Sequence, residues 1–320
     1  MKKSLIFLGS ALAVGTGVLA LGNEALYRFL IHKEIKVPSG FGKFMSGGME
    51  KPTDKERLHK ESRKYLDNYG YDRHYMVNDR GHKVVAYHVK PKKESKTYVF
   101  CSHGYRYEGK LEWCWYVNHY VEELGYNMFI VDHQCAGESE GEYIGFSSFE
   151  SQDGMKWLGY MKETFGEDIN IILHGMSMGS TTVMLMTGNE NLPENVKFTI
   201  ADCGFTSALD EFKYKLKCWG VPENPVVPIL CAMNRARAGY DFQNDTNALE
   251  AVSGAKVPML FVHGDADKFV PTYMVHELFD ACSAPYKDKL VVPGAGHSDS
   301  YYLGREDYNR KIDEFVEKFI

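Results

Sequence analysis

The sequence predicts an α/β fold with a mainly parallel central sheet of about eight strands, helices on both faces and a small helical cap. Short apolar runs of strand length alternate with helical stretches from residue 71 to the C-terminus, as expected for a parallel sheet covered on both faces. The loops with unusual residue types follow predicted strands, after residues 101, 131, 173, 262 and 292. Because sites in such sheets lie beyond the carboxyl ends of the strands, we expect a functional site at this edge.

The individual elements follow from hydrophobic pattern and turn residues. The first two strands form a hairpin about the turn at 78–81, and the later strands are buried apolar runs. The predicted strands cover residues 71–76, 82–89, 97–101, 127–131, 169–173, 197–201, 257–262 and 289–292. The predicted helices cover residues 53–68, 111–124, 151–165, 209–218, 228–238, 271–282 and about 306–320.

Length and composition suit one large α/β domain or two small ones. The chain has 320 residues, of which 44% are apolar and 25% are charged, an ordinary composition for a globular protein. We predict an N-terminal segment at 1–23, a connector rich in glycine at 24–52, and the α/β domain at 53–320. About fifty residues without strand signal, punctuated by three prolines, predict a cap insertion at about 206–255.

The N-terminal segment has the length of a membrane span. Twenty uncharged residues, 4–23, follow two lysines, and a helix of that length spans roughly 30 Å. We expect an uncleaved membrane anchor; a cleaved signal peptide, which would make the protein secreted, and a buried helix are the alternatives. The lysines before the segment place the N-terminus inside, whereas Arg28, Lys33 and Lys36 and the free cysteines favour the opposite side. The side of the membrane therefore stays open.

Several classes of function are disfavoured by composition. The net charge is −6 and no basic block follows the N-terminus, so nucleic acid is not an expected partner. The sequence has neither Cys-x-x-Cys nor His-Glu-x-x-His, and we expect no metal and no cofactor. The seven cysteines are scattered and odd in number, which does not indicate a disulfide framework. The oligomeric state is not encoded in these patterns.

The stretch Gly175–Gly179 is the strongest local motif. It reads Gly-Met-Ser-Met-Gly and lies between an apolar strand and a predicted helix, which is the context of a nucleophile elbow. Such a turn brings the chain close to itself on both sides of the serine, so only small residues fit at positions 175 and 179. The helix also directs its first amides toward an anion forming beside Ser177.

A serine nucleophile needs a base and an acid that orients the base. His297 follows the last predicted strand and is the candidate base. Asp265 and Asp267 lie in the loop after the preceding strand, and either has the reach to contact a histidine on the neighbouring loop. Either is also suited to an Asx turn or a helix N-cap. The order Ser, Asp, His along the chain is that of the α/β-hydrolases.

The tetrahedral intermediate of acyl transfer needs two hydrogen-bond donors for its oxyanion. The Met178 N–H, directly after Ser177, is one candidate. The other is expected in the loop after the strand at 97–101, where Gly104 lets the backbone turn close to the substrate, and we select the Tyr105 N–H. His103 is expected to brace this loop.

These motifs together resemble the α/β-hydrolase superfamily over residues 70–320. The nearest resemblance is to small bacterial membrane-anchored serine hydrolases related to cinnamoyl-esterase-like and prolyl-oligopeptidase-like enzymes. The residues that carry the resemblance are Ser102–Tyr105, Asp132–Ser139, Gly175–Gly179, His263–Pro271 and Gly294–His297. In that family the acid stands three residues before a Val-Pro pair, so the resemblance selects Asp267 and leaves Asp265 as the alternative.

The expected function is that of a serine hydrolase of carboxylic esters or related small acyl compounds. Ser177 attacks, His297 transfers the proton, Asp267 orients the imidazole, and water releases the acyl group. A serine peptidase, an acyltransferase and a non-catalytic membrane-tethered binding module are the alternatives. Apolar side chains of the cap are candidates to line an acyl pocket: Phe212, Tyr214, Trp219, Val226, Val227, Ile229, Leu230 and Met233.

Overall fold

The computed structural model of the protein describes residues 21–33 and 54–320. Its strands are β1 (Asp72–Val77), β2 (Lys83–Val89), β3 (Thr97–Ser102), β4 (Asn127–Asp132), β5 (Asn170–Met176), β6 (Val196–Asp202), β7 (Met259–Gly264) and β8 (Lys287–Val292). They form one eight-stranded sheet in the order β1-β2-β4-β3-β5-β6-β7-β8. β2 runs antiparallel to β1 and β4, and the remaining neighbours are parallel. The predicted mainly parallel sheet is confirmed.

Helices cover both faces of this sheet. The described helices are α1 (residues 21–31), α2 (Lys55–Tyr69), α3 (Gly109–Trp113), α4 (Ser148–Phe165), α5 (Met178–Thr187), α6 (Ala208–Cys218), α7 (Glu223–Arg237), α8 (Ala248–Ser253), α9 (Tyr273–Ala281), α10 (Ser300–Leu303) and α11 (Arg305–Phe319). Alternate residues of β3 show how both faces become core: Val99 and Cys101 pack against α11 and its neighbours, whereas Tyr98 and Phe100 pack against α4 and α5. Each face therefore buries its own apolar layer.

The pattern of burial matches the position of each strand. Every residue of β3, β4 and β7 is buried, as expected for central strands whose two faces are both covered. The edge strands β1 and β8 carry charged residues and keep part of their surface exposed. Charged edges resist pairing with another chain, and the sheet ends at these two strands.

The helical stretch predicted at 111–124 is not one regular helix. After α3 the chain forms a 3-10 turn at Cys114–Tyr116 and a π-helix at Asn118–Glu123. The wider turn brings the Tyr120 hydroxyl to 2.8 Å from Nδ1 of His174, whose Nε2 lies 2.9 Å from the Tyr308 hydroxyl. Burial lowers the pKa of His174 to about 3, so the imidazole is neutral and joins β5 to α11 through hydrogen bonds.

The cap insertion predicted at about 206–255 divides into two parts. α6 and α7 lie over the carboxyl edge of the sheet, where Phe212 and Leu230 pack with Met178. α8, by contrast, packs with α5 and α9 through Ala248 and Val252 and belongs to the layer that covers the sheet. Local sequence shows only that strands are missing here, so it does not separate these two parts.

The N-terminal region is described only in part. The predicted membrane segment 4–23 lies outside the described residues except for its last three, and so does the predicted connector from residue 34 onward. Residues 24–31, placed in the connector by the sequence, are helical and pack against the domain. Among residues 21–33 and 54–320, no helix has the length and apolar character needed to cross a bilayer.

Candidate active site

Ser177 occupies a tight turn between β5 and α5. Its backbone has φ 55° and ψ −117°, a strained conformation for a residue other than glycine. The close approach predicted for the flanking glycines is present. A Cβ atom on Gly175 would lie 2.1 Å from the Gly179 carbonyl oxygen, and one on Gly179 would lie 2.0 Å from the Ser102 carbonyl oxygen. Both positions therefore exclude any side chain.

The structure brings Ser177, His297 and Asp267 into one hydrogen-bonded chain. Nε2 of His297 lies 2.8 Å from Oγ of Ser177, and Nδ1 lies 2.7 Å from Oδ2 of Asp267. These distances fit a His297 tautomer in which Nδ1–H donates to the carboxylate and Nε2 accepts from the serine hydroxyl. The three residues come from the loops after β5, β7 and β8, which meet at one edge of the sheet.

The Asp267 carboxylate is held from two sides. Its Oδ1 accepts hydrogen bonds from the backbone N–H groups of Phe269 at 2.8 Å and Val270 at 3.0 Å. This is the Asx-type turn expected of one of the two aspartates in this loop. Burial alone would raise the pKa of Asp267, but the charge and hydrogen bonds of His297 and His263 outweigh burial and hold that pKa well below its usual range.

His263 is a second histidine beside the same carboxylate, and the sequence does not single it out. Its Nε2–H donates to the Val270 carbonyl at 3.0 Å and lies 3.3 Å from Oδ2 of Asp267. Burial lowers the pKa of His263, yet the hydrogen bond and charge of Asp267 raise it overall. His263 therefore fixes the loop around Asp267 and places a ring N–H beside the carboxylate.

Asp265, the alternative acid, is used elsewhere. Its Oδ1 accepts a hydrogen bond from the backbone N–H of Gly294 at 2.6 Å. Gly294 has φ +72° and begins the turn that leads to His297, so Asp265 ties the β7 loop to the β8 loop. The structure thus brings Asp267, and not Asp265, to the imidazole.

The loop after β3 approaches Ser177 closely. A Cβ atom on Gly104 would lie 3.3 Å from Cβ of Ser177. In the described part of the chain, neither the Tyr105 N–H nor the Met178 N–H has a protein acceptor, so both amides are available to an oxyanion. His103 braces this loop: its Nδ1–H donates to the Gly104 carbonyl at 2.8 Å, and its Nε2 accepts from the His133 N–H at 3.0 Å.

Glu112 also supports this loop and was missed in the sequence. Its Oε2 accepts a hydrogen bond from the Gly104 N–H at 2.5 Å. Burial raises the pKa of Glu112 to about 7, and the carboxyl holds this one amide. In the sequence, Glu112 stands in a helical stretch with many aromatic residues, 111–121. An acidic residue there is equally well explained by a position on the solvent-facing side of the helix, so its contact with Gly104 was not predicted.

A narrow apolar pocket leads to Ser177. The space open to the centre of a water molecule is about 30 Å³, so the pocket is a narrow slot beside Ser177. Of the eight cap side chains named as candidates, Phe212, Trp219 and Leu230 line this pocket. The remaining lining residues are Leu26, Leu30, Tyr105, Phe146, Ser177, Phe205, Glu211, Lys215, Leu216 and Phe269.

The N-terminal helix α1 forms one wall of this pocket, which the sequence did not predict. Leu26 and Leu30 face the cavity, and the carbonyl of Leu30 accepts a hydrogen bond from the Tyr105 hydroxyl at 2.8 Å. The Arg106 guanidinium donates to the carbonyls of Phe29 at 2.6 Å and His32 at 2.8 Å. A cation at a helix C-terminus is favourable, so these contacts hold α1 against the loop after β3.

One group of side chains at the site has metal-ligand chemistry. Ligand atoms of Cys203, Asp267 and His297 lie within 4.8 Å of one another. Asp267 and His297 already use these atoms in the hydrogen-bond chain to Ser177. A bound metal ion would therefore displace that chain rather than complement it.

Comparison with known proteins agrees with this fold. The model of the prolyl oligopeptidase family matches residues 148–320. The uncharacterized protein YqkD of Bacillus subtilis (strain 168) is 26% identical over 320 residues, covering 99% of this chain and 98% of its own.

Two solved esterase structures share the fold at low identity. The esterase Pf2001 of Pyrococcus furiosus has a TM-score of 0.62 at 17% identity, covering 85% of this chain and 96% of its own. Acetyl xylan esterase 1 of Thermoanaerobacterium sp. JW/SL YS485 has a TM-score of 0.53 at 14% identity, covering 87% of this chain and 98% of its own. At these sequence identities, the similarity is evidence of a shared fold.

The close approach at Gly179 generates a direct prediction. Gly179→Ala is expected to destabilise the protein by about 1–3 kcal/mol or more and to displace Ser177, because the added methyl group overlaps the Ser102 carbonyl. Urea denaturation measures the loss of stability. Gly159→Ala is the matched control, since a Cβ atom there meets nothing within 4 Å and alanine favours a helix. Equal stability of the two variants would contradict the steric argument.

Proposed function

Because the chain belongs to the prolyl oligopeptidase family, and is thus a hydrolase on an α/β scaffold, we propose that it cleaves carboxylic esters with Ser177 as nucleophile. The observation that carries this proposal is the chain of two hydrogen bonds, 2.8 and 2.7 Å long, from Ser177 through His297 to Asp267. The expected substrate is a small acyl compound. The roles of these three residues in the reaction are inferred from this geometry.

The reaction proceeds in two halves. Oγ of Ser177 attacks the ester carbonyl while its proton passes to Nε2 of His297, and the Asp267 carboxylate stabilises the imidazolium that forms. The oxyanion accepts hydrogen bonds from the N–H groups of Tyr105 and Met178. His297 then protonates the departing alkoxide, which leaves an acyl group on Ser177. Water, activated by the same imidazole, hydrolyses the acyl enzyme and restores the serine.

The pocket favours an ester over a peptide substrate. A polypeptide brings an N–H and a carbonyl at every residue, and each needs a hydrogen-bond partner when it leaves water. The walls beside Ser177 are mostly aromatic and aliphatic, from Phe146, Phe205, Leu216 and their neighbours. Such walls suit the hydrocarbon part of an acyl group. The peptidase activity that the family description suggests is therefore the second candidate.

The serine assignment is tested by replacing the nucleophile. Ser177→Ala is expected to abolish turnover of short p-nitrophenyl esters, with a decrease in kcat of about 10⁴-fold or more, because it removes the hydroxyl that is hydrogen-bonded to the imidazole. An alkyl fluorophosphonate is expected to label the wild-type protein and not the variant. The urea midpoint of the variant checks that the fold is retained. Ester turnover that survives in the folded variant would refute the proposal.

The acid is tested by a matched pair of substitutions in one loop. Asp267→Asn is expected to lower kcat by about 10³–10⁴-fold, since the amide no longer holds the imidazole in the productive tautomer. Asp265→Asn keeps an oxygen that accepts from Gly294 N–H and is expected to change kcat by less than about threefold. Steady-state kinetics on a p-nitrophenyl ester compares them. The reverse order of effects would transfer the role of acid to Asp265.

We also propose that residues 4–23 anchor the protein in a membrane. The support is the length of this uncharged segment, which suffices to span a bilayer. The full chain is expected in the membrane fraction after a high-salt wash. Deletion of residues 2–20, which keeps the pocket wall at Leu26 and Leu30, is expected to release active protein into the supernatant. Recovery of the full chain in the soluble fraction would exclude an anchor.

A further inference from the structure

A charged pair lines the otherwise mostly apolar pocket. Glu211 and Lys215 lie one turn apart on α6 and face the same cavity as Ser177. They are 5% and 4% exposed, so both are almost wholly removed from water. Charged residues are seldom buried to this degree unless they are paired and hydrogen-bonded.

The hydrogen bonds of this pair are incomplete. Within the described part of the chain, neither carboxyl oxygen of Glu211 has a hydrogen-bond partner. Nζ of Lys215 stands 3.6 Å from Oε1 of Glu211, beyond hydrogen-bond distance. The ammonium group instead donates to the Lys268 carbonyl at 3.4 Å and lies 3.7 Å from the centre of the Phe269 ring. Lys215 therefore interacts with a carbonyl and an aromatic ring, whereas Glu211 has a cation nearby but no hydrogen-bond donor.

The cap helix does not need this pair. α6 begins at the Ser207 N-cap, whose hydroxyl accepts from the Asp210 N–H at 3.0 Å, and its apolar face buries Phe212 and Leu216. A buried ion pair is commonly no more stabilising than apolar residues of the same size. Burial raises the pKa of Glu211 and lowers the pKa of Lys215, which shows the cost of holding both here. A carboxyl that lacks a hydrogen-bond donor in a pocket of this kind is explained if the bound ligand supplies that donor.

We propose that Glu211 accepts a hydrogen bond from a neutral donor, a hydroxyl or an amide N–H, on the acyl part of the substrate. The neighbouring charges select a neutral group. An ammonium group on the substrate would be repelled by Lys215, and a carboxylate would be repelled by Glu211 itself. The substrate class is therefore an ester whose acyl chain is mainly hydrocarbon and carries one polar substituent. This inference specifies the substrate of the proposed esterase and rests on that function.

The position of the pair places the substituent near the reacting carbonyl. The Phe269 ring contacts the Lys215 ammonium and also lies 4.7 Å, centre to centre, from the His297 ring. Oε1 of Glu211 lies 3.6 Å from the same ammonium group, so a short series of contacts leads from the carboxyl through Lys215 and Phe269 to the imidazole. A donor on the second or third carbon of the acyl chain fits this spacing better than one at the far end.

The experiment compares p-nitrophenyl esters that differ at one position. The full-length protein is assayed with hexanoyl, 3-hydroxyhexanoyl, 3-acetamidohexanoyl and 3-methoxyhexanoyl esters. The methoxy group matches the hydroxyl in position but donates no hydrogen bond. At least one of the two donor esters is expected to exceed the methoxy ester in kcat/KM by about tenfold or more. The comparison of hydroxyl with acetamido identifies which donor the site takes.

Three variants assign this preference to Glu211. The double variant Glu211→Leu/Lys215→Met removes both charges with similar volume and is expected to reduce the preference to less than about twofold. Glu211→Gln keeps an acceptor oxygen and is expected to retain a preference for the donor. Lys217→Met, on the exposed side of α6, is the control and is expected to behave as wild type.

Each outcome bears on one of the two ideas. No donor preference in the wild type, or a preference that survives in the double variant, would overturn the role of Glu211. Labelling of Ser177 by an alkyl fluorophosphonate is measured in the same variants and depends on the nucleophile alone. Intact labelling with no preference rejects only this inference, whereas absence of labelling and of ester turnover rejects the proposed function together with it.

Discussion

The contact between the Ser102 carbonyl and Gly179 is the constraint on which the site depends. It joins the end of β3 to the first turn of α5 with no space for a side chain. Ser177, directly before this turn, has a positive φ. The same approach brings Gly104 beside Ser177, so that the proposed nucleophile and the loop after β3 are positioned by one backbone contact. The loops of β7 and β8 then complete the arrangement, because parallel strands end at the same edge.

The electrostatics of the site follow from this enclosed geometry. The Asp267 carboxylate is buried, yet two backbone amides and two histidines keep it charged. Glu112 is held behind the oxyanion loop, and there burial raises its pKa to about 7. The two carboxyls differ in what surrounds them: Asp267 lies beside two histidines and two backbone amides, whereas Glu112 accepts from a single amide. Their environments therefore fit them for different tasks.

Much of the fold, and the meeting of Ser177, Asp267 and His297 at one edge of the sheet, was predictable because the signals are local. Buried strands are apolar runs, and the elbow is a five-residue steric pattern between a strand and a helix. Tertiary contacts account for what was missed. The π-helix at Asn118–Glu123 depends on the partner that Tyr120 finds in β5. The partners of His263 and Glu112 lie only four to eight residues away, but they are set by how the loops fold back, which residue type and spacing do not encode. Asp265 and Asp267 have the same side-chain chemistry, and apart from the family resemblance only their hydrogen-bond partners, Gly294 N–H and His297, separate them.

The hydrogen bonds from Tyr105 and Arg106 to α1 have a practical consequence for any work on this enzyme. Residues that precede the α/β domain in sequence line the pocket at Ser177 and hold the side chain of a proposed oxyanion donor. A recombinant form that replaces everything before residue 54 with an affinity tag would open one wall of the pocket to solvent. The specificity measured on such a protein would be that of a different, wider site.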